Sequence, residues 1–230
     1  MENKITCSCE NCDLKTLFFD NIIQSDLDNI CSRKFEKNYK SGDIIIESNT
    51  PIKDFIYLKS GLVKLYKVNS DGREQIITIA KPFDFVSILS VFSDKNYNYS
   101  VTALEDSVIC SLDFEFIKSL ILNNAHFGYN ILSKMSGISD KIILDMLAIK
   151  TKHLRGRVAH LLLYFSNNIY NNNEFDLPIS RREIAEYIGM TTENVIRTLS
   201  EFRKDKIIKI FGKTIEIIDK TKLTQISELG

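Results

Sequence analysis

Three hydrophobic periods follow one another along the chain. From about Lys40 to Leu112, short runs of β-branched and aromatic residues recur: Asp43–Glu47, Phe55–Leu58, Leu62–Lys67, Gln75–Ile79 and Ser100–Leu112. Ser60-Gly61 and Ser70-Asp71-Gly72 punctuate them. Asp-Gly between two alternating runs signals a hairpin, because Gly accepts the positive φ of the tight turn. Short antiparallel strands at regular spacing predict a small β-roll of the jelly-roll kind.

From Phe114 to Lys152 the period becomes helical. Ile131, Met135, Ile138, Ile142, Asp145 and Ile149 alternate spacings of four and three, and all but Asp145 are apolar. That is a heptad stripe. A helix of this length is too long for a small roll to cover. The pattern predicts a dimerisation helix, with Ile131, Met135, Ile138, Ile142 and Ile149 facing a second copy. An internal core helix is the alternative. From Thr151 onward, short helices and a hairpin follow. Leu154, Val158, Leu161, Leu162 and Phe165 share one face, and Asp176–Ile179 is extended. The expected class is α+β. Its segments are 1–125 (cysteine segment and antiparallel β-roll), 126–152 (dimerisation helix) and 153–230 (winged helix-turn-helix).

The last segment has a specific internal order. Ser180-Arg181-Arg182-Glu183 is a capping box, in which Ser at the N-cap and Glu at N3 satisfy each other's amides. Ile184, Ala185 and Ile188 form the buried face of that helix, and Gly189 can take the left-handed conformation that ends it. Thr191 or Thr192 then caps a second helix, with Val195, Leu199 and Phe202 inward. Thr192, Glu193, Ile196, Arg197 and Ser200 lie opposite. Helix, Gly turn, helix is the form whose second helix enters the major groove. Arg197 can present two donors to guanine, Glu193 can accept from a cytosine amino group, and Ile196 suits a thymine methyl. Taken alone, Glu193 and Arg197 would be a surface i,i+4 pair. Strands at Ile207–Ile210 and Thr214–Ile218 form a wing around Phe211-Gly212-Lys213, with Lys213 a candidate phosphate contact.

Charge adds little. The chain has 30 basic and 30 acidic residues. Residues 151–230 carry 13 basic against 10 acidic, a mild excess that suits nucleic acid. The first residues lack the basic start and apolar core of a signal peptide, and no apolar run reaches ~18 residues. A cytoplasmic location is expected. No nucleophile elbow, P-loop or acid/base pair suggests an enzyme.

The stretch Ile179-Ser-Arg-Arg-Glu-Ile-Ala-Glu-Tyr-Ile-Gly-Met-Thr-Thr-Glu-Asn-Val-Ile-Arg197 resembles the helix-turn-helix of the CRP/FNR regulators. Gly42-Asp43, Tyr57-Leu58-Lys59-Ser60-Gly61 and Asp71-Gly72-Arg73-Glu74-Gln75 are similar to that family's cyclic-nucleotide-binding-like roll. The resemblance spans roughly 15–225. It implies a homodimeric transcription regulator that binds double-stranded promoter DNA, with Glu193 and Arg197 as base contacts and RNA polymerase as a further partner. A roll acting through protein partners is the competing reading.

The effector is open. The family's cAMP binders carry Phe-Gly-Glu-Leu and a later Arg. Here Ser87 and Ile88 replace the Gly and Glu, and Lys95–Ser100 holds no Arg. A buried phosphate would lack its cation, so the pocket reads as degenerate for cAMP. Ala103–Cys110 looks like the segment that holds the distant cluster cysteine of the oxygen-sensing members, and Cys9-Glu10-Asn11-Cys12 resembles their first Cys-x-x-Cys. Phe18 stands where a third N-terminal cysteine is expected. Cys7, Cys9, Cys12 and Cys110 would supply the four thiolates of an iron–sulfur cluster. Zinc, redox-active thiols or no cofactor are the alternatives, with Cys110 a small core residue and Cys31 structural.

Overall fold

The computed structural model describes residues 24–87 and 89–229. The described residues form two compact units, one within residues 24–68 and 77–140, the other within residues 69–76 and 141–229. The division falls inside the long helix.

Helix α1 (Gln24–Arg33) precedes seven strands: β1 (Phe35–Tyr39), β2 (Ile44–Ile46), β3 (Asp54–Ser60), β4 (Val63–Val68), β5 (Glu74–Ala80), β6 (Ser100–Ala103) and β7 (Ser107–Asp113). They form a sheet of order β1-β7-β3 and another of order β2-β6-β4-β5. Strands β3 and β7 are buried on both faces, which is why they read as nearly unbroken apolar runs. Ile56, Leu58 and Ile109 point into the roll with Val63, Leu65 and Val101. Phe55, Tyr57, Cys110 and Leu112 point the other way, into a core shared with the helices that follow.

The run Ser100–Leu112 is two strands rather than one. The Leu104 and Glu105 amides both donate to the Leu62 carbonyl, at 2.7 and 3.3 Å, and turn the chain. Gly61 sits against this turn at φ +92, where a Cβ would lie 2.3 Å from Ser107 Oγ. Only glycine fits there.

The helical stretch after Phe114 also divides. Helix α2 (Phe114–Asn123) is capped by Asp113, and α3 (Ala125–Lys150) starts after Asn124, whose backbone is extended. Asn124 Oδ1 accepts from the Phe127 amide at 3.0 Å and caps the new helix. Helix α3 has 26 residues, about 39 Å at 1.5 Å per residue.

The apolar stripe expected as the dimer seam packs in part against the chain's own roll. Ile131 is buried in the core of its own roll, with Met135 and Ile138 packed against it. Ile149 is buried and Ile142 half-buried. The outward apolar residues are Tyr129, Leu132, Ile143, Leu144, Met146 and Leu147. A heptad count finds an apolar stripe but not what covers it. Here the β1-β7-β3 sheet needs a cover on its outer face, and the predicted stripe supplies part of it.

The second unit has α4 (Leu154–Tyr164), a π-helical turn (Phe165–Ile169), β8 (Glu174–Asp176), α5 (Arg181–Ile188), α6 (Thr192–Lys204), β9 (Ile208–Phe211), β10 (Thr214–Ile217) and α7 (Lys220–Leu229). The strands pair in the order β8-β10-β9. Val158, Leu162, Phe165, Ile188, Val195, Phe202, Ile215 and Leu223 are buried, while Leu154 is exposed. The hydrophobic pattern predicts no element after the wing. Helix α7 nevertheless follows it, capped by Asp219 accepting from the Lys222 amide at 2.8 Å and anchored by Leu223.

Candidate nucleic-acid interface

The capping box forms as expected. Ser180 Oγ accepts from the Glu183 amide at 3.2 Å, and Glu183 Oε2 accepts from the Ser180 amide at 2.8 Å. Gly189 ends α5 at φ +65, ψ +48, a conformation that costs glycine little. Thr191, not Thr192, caps α6 by accepting from the Asn194 amide at 3.2 Å. Val195, Thr198, Leu199 and Phe202 bury one face of α6.

On the other face Glu193, Ile196, Arg197 and Ser200 are exposed and Thr192 is half-buried, so the fold brings the five expected residues together. Ile196 is 52% exposed, and water is a poor environment for that side chain. Arg197 Nη2 donates to Asn194 Oδ1 at 2.9 Å, and its Nε lies 3.9 Å from Glu201 Oε1. The Ser200 hydroxyl donates to the Ile196 carbonyl at 2.9 Å, a bond to its own helix.

Lys213 follows Gly212 in the turn between β9 and β10, apart from these five. Its Nζ lies 2.8 Å from Asp176 Oδ2. Thr214 Oγ1 lies 2.6 Å from the other oxygen. Hydrogen bonds from Lys213, then Thr214, hold the Asp176 carboxyl below its usual range. Sequence reasoning gave Arg181 only a place in the capping box, but its Nη2 donates to the Gly212 carbonyl at 2.7 Å and ties α5 to the wing. Nothing local in the sequence signals this, because the two residues meet only through the sheet.

The roll interior bears on the cAMP question. Ser87 is fully buried, and its Oγ accepts from the Ile56 amide at 2.8 Å. Tyr99, in the segment where the cAMP binders carry Arg, is buried and donates its hydroxyl to the Val86 carbonyl at 2.7 Å. Tyr97 lies against it, with ring centroids 6.2 Å apart. The Ser87 and Tyr99 hydroxyls are thus both bonded to the backbone of the roll. Ile88 lies outside the described residues.

Of the four cysteines read as cluster ligands, Cys7, Cys9 and Cys12 lie outside the described residues. Cys110 is fully buried, and its thiol donates to Glu36 Oε1 at 3.4 Å. Lys59 Nζ holds Glu36 at 2.7 Å and Lys34 Nζ lies 3.9 Å away. Burial pushes the Cys110 thiol up to about 12, against smaller downward pulls from Tyr57 and Lys34. Cluster ligands are thiolates, so ligation by Cys110 would require the loss of this proton and of its bond to Glu36. Among the described residues, no group of three or more His, Cys, Asp or Glu side chains could hold a metal. Cys31, expected to be structural, lies half-buried on α1.

No helix among the described residues is long and apolar enough to cross a membrane. The chain matches the cyclic nucleotide-binding domain over residues 36–124 and the Crp-like helix-turn-helix domain over residues 156–226. It is 29% identical to Electron transport regulator A of Shewanella oneidensis over 223 residues, covering 94% of this chain and 88% of that one. It is 27% identical to the Fumarate and nitrate reduction regulatory protein of Escherichia coli K12 over 227 residues, covering 95% and 90%. Among solved structures, FixK2 from Bradyrhizobium japonicum is similar with a TM-score of 0.74 and 24% identity, covering 84% of this chain and 96% of that one. With a cyclic nucleotide-binding domain and a Crp-like helix-turn-helix domain both matched, and with regulators similar over nearly its whole length, the chain belongs to the CRP/FNR family of transcription regulators.

Proposed function

We propose that the protein is a homodimeric regulator that reads a specific promoter sequence and responds to a signal other than cAMP. The observation that carries the reading is the outer face of α6. Glu193 and Arg197 lie one turn apart, with exposed Ile196 between them. They offer an acceptor, a two-pronged donor and a methyl-binding surface, the three chemistries that distinguish base pairs in the major groove. Lys213 stands apart on the wing, where a phosphate could replace Asp176 as its partner and fix the register.

Dimerisation is proposed through the outward stripe of α3. Tyr129, Leu132, Ser136, Ser139, Ile143 and Met146 alternate spacings of three and four on exposed positions. This is the seam that two such helices would share. RNA polymerase as a further partner and a cytoplasmic location go with this reading. The relatives' names, electron transport regulator and fumarate and nitrate reduction regulatory protein, favour a redox or gas signal. Selection of operators from random duplex DNA tests the core of the proposal. The expected product is a two-fold site with half-sites about one helical turn apart. No enriched sequence would favour the roll acting through protein partners.

A further inference from the structure

Glu201 stands one turn beyond Arg197 on α6, and its two carboxylate oxygens face different arginines. Oε2 lies 3.0 Å from Arg155 Nη1 on α4, and Oε1 lies 3.9 Å from Arg197 Nε. Arg155 is itself fixed at a second point, with Nη2 3.1 Å from Asp205 Oδ2 at the helix cap. Its guanidinium also lies over the fully buried Phe202 ring, 5.2 Å from the centroid.

Two acidic groups four residues apart at the C-terminal end of a helix repel each other and oppose the helix dipole. One arginine answers both, through the planar fork that lysine lacks. Glu201 is therefore held from behind, and its free oxygen is turned toward Arg197.

We propose that Glu201, anchored by Arg155, is a positioning residue for base reading. It draws the Nε side of Arg197 along the helix and leaves the Nη edge to meet guanine. This rests on the reading of Arg197 as a base contact. Asn194 occupies Nη2 in the free protein, and DNA would displace that bond. The carboxylate also lowers the positive charge at the groove, which restrains binding to arbitrary sequence. Specificity thus gains from both effects.

The test is a double-mutant cycle on the selected operator and on variants changed at one base pair. Arg197→Ala identifies the base pair that Arg197 reads. At that pair, Glu201→Ala is expected to reduce discrimination about three- to tenfold, in the lower part of the range of coupling between neighbouring side chains. Affinity for random DNA should stay level or rise. In the Arg197→Ala background Glu201→Ala should change discrimination no further. Arg155→Lys, which cannot bridge both carboxylates, should act in the same direction as Glu201→Ala. A merely structural role would lower the thermal midpoint and weaken all sequences alike. If Arg197→Ala relaxes one base pair and Glu201→Ala leaves that pair unchanged, or the two effects add, the positioning role is overturned. If Arg197→Ala relaxes no base pair, the base-reading assignment fails instead. Glu201→Gln keeps the shape of the side chain and replaces Glu201→Ala if the latter unfolds.

Discussion

Arg157 donates from Nη1 to the Ile188 carbonyl at 3.1 Å, so a residue of α4 closes the C-terminus of α5. The same nitrogen reaches the Gly189 carbonyl at 3.3 Å, and Nε donates to the Lys152 carbonyl at 2.9 Å. One guanidinium thereby holds the helix-turn-helix bend, where helix-end carbonyls would otherwise lack partners.

Arg157→Ala is expected to destabilise the second unit by roughly 1–3 kcal/mol, the worth of charge-assisted hydrogen bonds in a partly buried place. Urea denaturation measures this. DNA affinity should fall equally on operator and random duplex, since the turn carries no base contact. A loss confined to one base pair would show that Arg157 acts on α6 directly.

Arg197→Ala and Lys213→Ala should differ in kind. The first is expected to remove roughly 1–3 kcal/mol of discrimination at one base pair. The second should weaken all sequences and lower the salt slope by about one. Titrations at several salt concentrations separate the two. The Asp176 partner reduces the second effect, because Lys213 gives up an ion pair to meet phosphate. Asp176→Asn should therefore strengthen binding to any duplex.

The two faces of α3 should respond differently. Leu132→Glu combined with Ile143→Glu places charge on exposed positions. It should yield a folded monomer that has lost its operator. Ile131→Ala instead opens a cavity in the roll core and should cost about 2–5 kcal/mol. Sedimentation and thermal denatation of the two variants report the contrast. A dimer that survives the double substitution would place the interface elsewhere.

Calorimetry should detect no high-affinity cAMP binding, because Ser87 is bonded to β3 and Tyr97 and Tyr99 occupy the neighbouring interior. Micromolar binding would mean that the tyrosines swing out to admit the nucleotide.

Cys110 should resist alkylation in the native protein near neutral pH and react on unfolding. Burial holds its thiol protonated, and the thiolate is the reactive form. Rapid native labelling would contradict the buried geometry. Iron and sulfide in anaerobically purified protein, lost in Cys110→Ser, would show that Cys110 leaves this pocket when metal is present.

Local patterns settled much of this protein. The capping box at Ser180, the left-handed Gly189 and the apolar spacing Val195-Leu199-Phe202 depend on neighbours within one or two turns, so the helix-turn-helix and its outer face were legible before any fold was known. The hairpin at Asp71-Gly72 follows from the same short-range chemistry. The tertiary structure alone decided the partners of those elements. Ile131, Met135 and Ile138 form a regular heptad stripe, but whether a stripe meets a second chain or its own sheet depends on residues such as Phe55 and Leu112, far away in sequence. The same holds for Glu201. Its position on α6 is plain from the chain, while the arginine that anchors it comes from a helix that only folding brings alongside.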